Sequence, residues 1–474
     1  MEEYIRMLLS QVRFEKAHKA IGDEIRAHIE EQTEANILDG MDRETAEKRA
    51  VEDMGDPIEV GMSLDKIHRP QIAWSMFIAA MTIGAIGAMI RMAECDFLQD
   101  SDSIGTGVFW GISLMLIVFL VDYTAVLKYA RVIAAALILW FIWYPASYRG
   151  NFTRQGIATL LAAWYPYLRL SSIVYYTEDI RVIFTTLLIL FIPLYSGIIY
   201  KYRGQSYKGL LKAVLWIFVP CAYMIFEEFA LEPMHAAIIV LSLLTQLTIA
   251  IKKGWFGIPK KRMIVPQWGI AFAYFYLIFA DALLYSDSSS RVENIRKALG
   301  RAKPFGCGVT YISFKGKNEA VAASSYIGRQ VGEEFVLPCI CADWGLVIGL
   351  AVIVGVLGLI AFGFIALSKT KNQPGVVMGS GCLMWLLANA VANMLAGFGL
   401  IDTAYVGDTF FPFISGSNVF ISYIFLGIIL SIYKYKDAYS QHIDSKVFSG
   451  LKKKIPYYGL NIRPRKEVKE EKGF

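Results

Sequence analysis

Charge is scarce in this sequence. Asp, Glu, Lys and Arg make up 19% of its 474 residues, less than a soluble globule of that length carries. Histidine is scarcer still, with five residues too scattered to compose a metal site. The six cysteines show none of the ligand spacings of a zinc centre. Cys339 and Cys341 stand two apart inside an apolar run, where cysteine usually serves as a small hydrophobe. No cleavable leader is expected either. The first apolar block starts near residue 71, behind a charged segment far too long for an n-region. The net charge of +6 is too small and too unevenly placed to suggest nucleic acid.

What the chain has instead is apolar length. Hydrophobic residues make up 55% of it, its mean hydropathy is +0.45, and the apolar blocks run to about 20 residues, enough to cross a bilayer. The expected fold class is all-α: a polytopic helical membrane protein with about ten transmembrane helices and a small N-terminal cytoplasmic helical domain. The spans are predicted near 71–92, 105–121, 128–146, 181–201, 209–226, 234–251, 267–285, 336–367, 377–400 and 415–433. Residues 155–176 contain Pro166 and Arg169 among several Tyr and Trp. They read as an interfacial or re-entrant segment.

The loops orient the chain. KYRGQSYKGLLK (201–212), IKKGWFGIPKKR (251–262), SKTKN (368–372) and the tail 436–474 are basic, and ten spans put them on one side. ECDFLQDSDS (94–103), FEEFALE (226–232) and IDTAYVGD (401–408) are acidic and fall on the other. By the positive-inside rule both termini are cytoplasmic. Cys95 and Cys307 would then both face the exterior, and a disulfide between them stays open. The loop 286–335 would be extracytoplasmic, and loops of that length are uncommon unless functional or disordered.

Residues 1–70 hold 17 acidic and 10 basic side chains. Ile21, Ile25 and Ile29 recur every four residues on one helix face. Gly40 is expected to end that helix and Asp42 to cap the next, on which Ala46, Ala50 and Met54 share a face. Gly55-Asp56-Pro57 reads as stop, cap and first-turn proline. The run GMDRETAEKRAVEDMGDP (40–57) resembles the permease prefix domain, a short helical module that precedes many bacterial membrane proteins. That resemblance implies a bacterial protein and a regulatory role.

Three stretches carry candidate chemistry. RVENIRKALGRAKPFGCGV (291–309) places Arg296, Lys297, Arg301 and Lys303 in the long loop. They would suit a phosphate at the membrane surface, or simply solvate a loop near anionic headgroups. VGEEFVLPCICADWGLVIG (331–349) sets Glu333 and Glu334 before an apolar run and Asp343 inside it. A partly buried carboxylate at a cavity mouth has its pKa raised towards the range of a general base. An exposed acid at a helix N-terminus is the simpler alternative. The third stretch is NMLAGFGLIDTAYVGDTFFPFISGSNVF (393–420). Asn151-Phe152-Thr153 fits a glycosylation sequon by chance, and Lys452-Lys453-Lys454 fits an anionic-lipid contact better than a nucleic-acid patch.

In order and spacing these stretches resemble the SEDS family of shape, elongation, division and sporulation proteins, the FtsW, RodA and SpoVE group. With Gly345 as anchor, Glu334-Phe335 falls on the family's Asp-Phe pair and Asp343 on the second acid of its Glu-Glu-Leu-Gly set. IRKALGRAKPFGCGV (295–309) is similar to the family's Ala-Leu, gap and Gly-x-Gly. Asn393, Gly407, Pro412, Phe413, Ser415, Gly416 and Ser417 match its closing signature, and Glu232-Pro233 matches in kind the Gln-Pro-Asp of its sixth span. The resemblance covers roughly residues 70–435, so the expected domains are 1–70, 71–435 and the tail 436–474.

The resemblance implies peptidoglycan glycosyl transfer: polymerisation of lipid II, an undecaprenyl-pyrophosphate-linked precursor, at the outer face of the bacterial cytoplasmic membrane. A class B penicillin-binding protein is the implied partner, in division or cell-shape maintenance. Glu334 would be the catalytic base, Asp343 a buried structural acid, and Arg296, Lys297, Arg301, Lys303, Asn393, Ser415 and Ser417 the substrate contacts. A divalent cation, Mg or Mn, would be compatible with a leaving pyrophosphate but is not required. Glu334 replaces the family's Asp and is longer by one methylene, the Gly pair before the final Ser is reduced, and the family's Gln-Pro-Ser-Glu has no counterpart. Two other functions therefore stay open, a flippase or transporter for a lipid-linked precursor and a non-catalytic scaffold for a penicillin-binding protein.

Overall fold

The computed structural model describes residues 1–94, 101–148, 187–224, 233–286, 290–306, 309–314, 317–322, 336–401, 411–414 and 419–439. The chain divides into two compact units, Met1–Ile443 and Asp444–Phe474. The second lies outside the described residues, as do the predicted segment 155–176 and both Cys95 and Cys307.

Four helices open the chain: α1 (Glu2–Ser10), α2 (Glu15–Leu38), α3 (Arg43–Asp53) and α4 (Pro57–His68). Their ends follow local chemistry. Gly40 and Gly55 take φ of +95° and +81°, where a side chain would be strained. Asp42 accepts from the Thr45 amide at 3.0 Å, and Asp56 from the Ile58 amide at 3.3 Å with Pro57 in the first turn. Ile21, Ile25 and Ile29 are buried, together with Ala46 and Ala50. Tyr4, Ile5 and Leu8 of α1 close the same small core. Burying one such isoleucine is worth about 1.5–3 kcal/mol.

The apolar part begins with α5 (Trp74–Glu94), α6 (Ser101–Leu120) and α7 (Tyr123–Tyr148). It continues with α8 (Phe191–Tyr200), α9 (Ser206–Met224), α10 (Pro233–Lys252) and α11 (Lys260–Ser286). Then come α12 (Ser290–Arg301), β1 (Val309–Phe314), β2 (Lys317–Ala322), α13 (Val336–Asp343), α14 (Leu346–Ser368), α15 (Gln373–Gly397) and α16 (Val419–Lys434). Met234–Lys252, Leu346–Ser368 and Gln373–Gly397 are each long and apolar enough to cross a bilayer. Trp74–Gly87, Leu187–Tyr200 and Val419–Lys434 are shorter apolar helices. Helix occupies most of the described part of each stretch predicted to span.

Three features differ from the sequence expectation. The loop 286–335 holds an antiparallel hairpin, with Val309 opposite Ala322 and Phe314 opposite Lys317, so the chain outside the helical bundle is not purely α. The stretch 336–367, predicted as one span, breaks at Trp344-Gly345 because Gly345 adopts φ +105°. The helices Phe109–Leu120 and Tyr123–Leu139 meet at 100° around Val121-Asp122.

Hydrogen bonds sort the loops into two ends. At one end the Gly204 amide donates to Trp255 O (2.8 Å), the Trp255 indole to Gln373 Oε1 (2.8 Å) and the Lys371 amide to Lys436 O (3.3 Å). Gln71 N donates to Lys434 O at 2.9 Å, and Ser431 Oγ to Val121 O at 2.9 Å. The loops near 201–206, 252–259 and 369–372 and the segment after Lys434, all predicted to share a side, do share one end.

The N-terminal helices dock at that same end, through Asp122. Lys16 Nζ lies 2.7 Å from Asp122 Oδ2, the Thr124 amide donates to Oδ1 at 3.0 Å, and the Tyr439 hydroxyl donates to Oδ2. Phe14 stacks on Tyr435 with centroids 5.5 Å apart. The Asp122 side chain is 12% exposed. Burial pushes its pKa up, but the hydrogen bonds from Lys16, Tyr439 and Thr124 outweigh burial and hold it below the usual carboxylate value. The stabilisation is therefore complete above the ordinary carboxylate range, about pH 4, and is lost as pH falls through the lowered folded value. Asp122→Ala should destabilise the protein by about 1–3 kcal/mol, and more than Lys16→Ala. Thermal unfolding of the two single variants and the double variant should give a coupling of at least about 0.5 kcal/mol. Additive losses would mean that the contact contributes nothing.

Candidate functional site

The opposite end is built by the break at Gly345. A helix leaves its first amides without internal partners, and in a hydrocarbon environment each unsatisfied group costs several kcal/mol. Here the Leu346 amide donates to Lys303 O (3.0 Å) and the Val347 amide to Pro304 O (3.2 Å), while the Gly306 amide returns to Trp344 O (3.1 Å). The segment 302–306 thus caps α14. A Cβ at Gly345 would lie 2.6 Å from Pro304 O and 2.7 Å from Phe305 Cα. The contact is backbone against backbone, so no side chain fits.

That cap fixes α12, the helix just before it. Val292 and Ile295 are buried on its inner face, with Leu299 packed beside them. Arg296 Nε donates to Gly399 O at 2.8 Å, reaching the turn that ends α15. Lys297 pairs with Glu293 at 2.6 Å on the exposed side and lowers that carboxyl's pKa by hydrogen bonding and charge. Arg301 and Lys303 are exposed and make no ion pair among the described residues. The four predicted cations share one helix and its C-terminal extension but do not converge. Arg296, though exposed, is tied to the Gly399 carbonyl, Lys297 is paired with Glu293, and Arg301 and Lys303 have no ion pair among the described residues.

Asn393 is fully buried on α15. Asn389 lies one turn earlier on the same face, its amide nitrogen bonded to Trp385 O at 3.0 Å and its Oδ1 buried without a partner among the described residues. Trp255, just past the C-terminus of α10, meets Gln373 at the start of α15. These two helices therefore run antiparallel, which puts buried His235, near the α10 N-terminus, at the Asn393 end. Sequence reading missed Asn389 and His235. The Asn-x-x-x-Asn repeat inside an apolar span was the available signal, since polar side chains there are expensive. Phe413, in the closing signature, holds φ +69° while fully buried. The Tyr423 hydroxyl donates to its carbonyl at 3.3 Å and the two rings meet edge-on. A bulky residue in that conformation costs about 1–2 kcal/mol, and the enclosing packing holds it.

Asp343 is the last residue of α13, directly before the break. Glu333, Glu334, Gly407, Ser415, Gly416 and Ser417 lie outside the described residues. Among the described residues no group of three or more His, Cys, Asp or Glu side chains is placed to hold a metal ion. Glu333 and Glu334, the acids that precede α13, are not among the residues so compared, and no step is derived through a metal ion.

No family model matches the chain, and no curated protein matches it. Solved structures do match. A chain from a structure describing coordination of polymerization and crosslinking by a peptidoglycan synthase complex aligns with 78% of this chain and 98% of its own, at 12% identity and TM-score 0.50. A mutant of the rod shape determining protein RodA from Thermus thermophilus aligns with 78% of this chain and 99% of its own, at 12% identity and TM-score 0.45. At the first of these likenesses the shared property is the fold: a polytopic helical membrane protein built as that synthase chain is built. The fold that the motif resemblance implies is the fold observed.

The cap on α14 makes a sharp prediction. Gly345→Ala should destabilise by about 2–3 kcal/mol, because backbone clash adds to the strain of positive φ. Gly254→Ala, at φ +77° with nothing within 4 Å of a new Cβ, should cost about 1 kcal/mol. Hydrogen exchange should accelerate at residues 303–306 and 344–349 in the first variant alone. Equal effects in the two would refute the steric account.

Proposed function

We propose that this protein is a SEDS-type peptidoglycan glycosyltransferase that polymerises lipid II, with both termini cytoplasmic and the α12–α13 end facing outward. The observation that most supports this is a convergence. Described residues of three stretches that carry family motifs, 295–306, 336–345 and 393–401, come to one end of a bundle that has the fold of a peptidoglycan synthase chain. The basic loops gathered at the other end support the orientation.

In this reading Glu334, two residues before α13, takes the proton from the acceptor sugar hydroxyl as undecaprenyl pyrophosphate leaves. Arg301 and Lys303 meet the departing phosphates, a role suited to cations held on a capped, rigid segment. Arg296 positions α12 against the end of α15. The signature Ser415 and Ser417 contact the substrate, fully buried Asn393 acts from inside the bundle rather than by touching it, and Asp343 supports the break. A class B penicillin-binding protein is the expected partner, cross-linking the strands as they form.

The test is polymerisation of lipid II by the purified protein with its candidate penicillin-binding partner. Removing a general base typically lowers rate by about 10²–10⁴, so Glu334→Ala should fall by that factor. Glu334→Asp should keep or raise the activity. A wild type that makes no glycan, beside a Glu334→Asp variant that does, would make the protein a scaffold rather than a polymerase. Lipid transport across liposomes that survives loss of Glu334 would favour a flippase.

A further inference from the structure

The N-terminal helices carry a cleft that neither the fold nor the proposed polymerase uses. It has a volume of about 390 Å³, opens to the surface, and is lined by Gln11, Arg13, Met62, Asp65, Lys66 and Arg69. Three cations thus face one carboxylate, and that carboxylate is already committed. Asp65 accepts from the Arg13 amide at 2.9 Å, from Arg13 Nε at 3.0 Å and from Nη2 at 2.6 Å. Arg13 lowers the Asp65 pKa, by hydrogen bonding first, so the acid stays ionised and paired. Lys66 and Arg69 are exposed and make no ion pair among the described residues. The cleft therefore offers two uncompensated positive charges.

Its position says what would fill it. Arg69 stands five residues before Trp74, which opens the first apolar helix and is 62% exposed. Trp side chains sit at the headgroup level of a bilayer. Gln71, between them, is bonded to Lys434 at the end of the last described helix, so the segment lies at the level where apolar helices end. On α4, Ile58 and Met62 are one turn apart, and Arg69, the residue that ends the helix, lines the cleft together with Met62. Both apolar side chains are about half exposed. Cations beside unpartnered apolar side chains at this depth match a phosphate joined to acyl chains.

We propose that this cleft binds the headgroup of an anionic glycerophospholipid. Lys66 and Arg69 hold the phosphate, and Ile58 and Met62 lie against the glycerol and upper acyl carbons. The inference is independent of the polymerase reading, since it uses no residue of the α12–α13 end.

The test uses the full-length protein in vesicles of phosphatidylcholine, with and without phosphatidylglycerol, read by hydrogen exchange across residues 57–69. Phosphatidylglycerol should slow exchange there. Each cation should contribute about fivefold, and the Lys66→Gln/Arg69→Gln variant should lose the protection while unfolding at the wild-type temperature. Arg43→Gln, an exposed cation on α3 outside the cleft, should keep it. The proposal is overturned if phosphatidylglycerol gives no protection, or if Arg43→Gln loses as much as the double variant. Equal protection by inorganic phosphate in phosphatidylcholine vesicles would also overturn it, since the site would then recognise a soluble anion.

Discussion

Two backbone hydrogen bonds, from the Leu346 and Val347 amides to the Lys303 and Pro304 carbonyls, hold the α12–α13 end of this protein together. A helix that starts within an apolar run must have its first amides satisfied by protein, because no water does it there. Segment 302–306 meets that need, and once it is seated α12 has one place to lie. Its inner face then packs beside α13, and Arg296 meets the end of α15. The candidate site is thus a consequence of closing one helix terminus. The same closure means that the α14 N-terminus does not present its first amides to an anion. Any anion met at this end would face side chains, Arg301 and Lys303 among them, rather than the helix dipole.

The other end follows a different logic. There the organising group is a side chain, Asp122, at the sharp turn between α6 and α7. It accepts from a lysine 106 residues earlier and a tyrosine 317 residues later. An exposed ion pair would be worth little. This one is partly buried, and its carboxylate has three donors, so losing any donor leaves a desolvated charge less well satisfied. Phe14 against Tyr435 adds apolar contact beside it. The N-terminal helices therefore have both their own core and a specific seat on the bundle.

Local chemistry was legible in the sequence and distant chemistry was not. The caps at Asp42 and Asp56, the stops at Gly40 and Gly55, and the isoleucine face of α2 depend on residues within a turn or two, and each stands where the spacing put it. The apolar blocks were legible because bilayer thickness sets their length. The break at Gly345 was not. Apolar residues continue on both sides, no proline marks it, and what permits it is a pair of carbonyls some forty residues upstream. The strands Val309–Phe314 and Lys317–Ala322 lie in the part of the long loop beyond the basic stretch, where only loop length is legible. Charge marks Arg296 as a ligand contact, yet it is engaged with the carbonyl of Gly399, whereas nothing but the spacing to Asn393 marks buried Asn389.

One element is common to both ends. Near its start, α16 carries Tyr423, whose hydroxyl holds the strained Phe413. At its finish it leads into Lys434, Tyr435 and Tyr439, which receive the first span and the N-terminal helices. Between them it lies hard against α6, with Gly427 so close that a Cβ would stand 2.7 Å from Met115 O. Glycine at such a crossing lets two backbones approach to a distance at which neither can slide without opening a void. The seat of the N-terminal helices and the packing around the closing signature are therefore joined through one helix, although the residues that make them lie at opposite ends of the bundle.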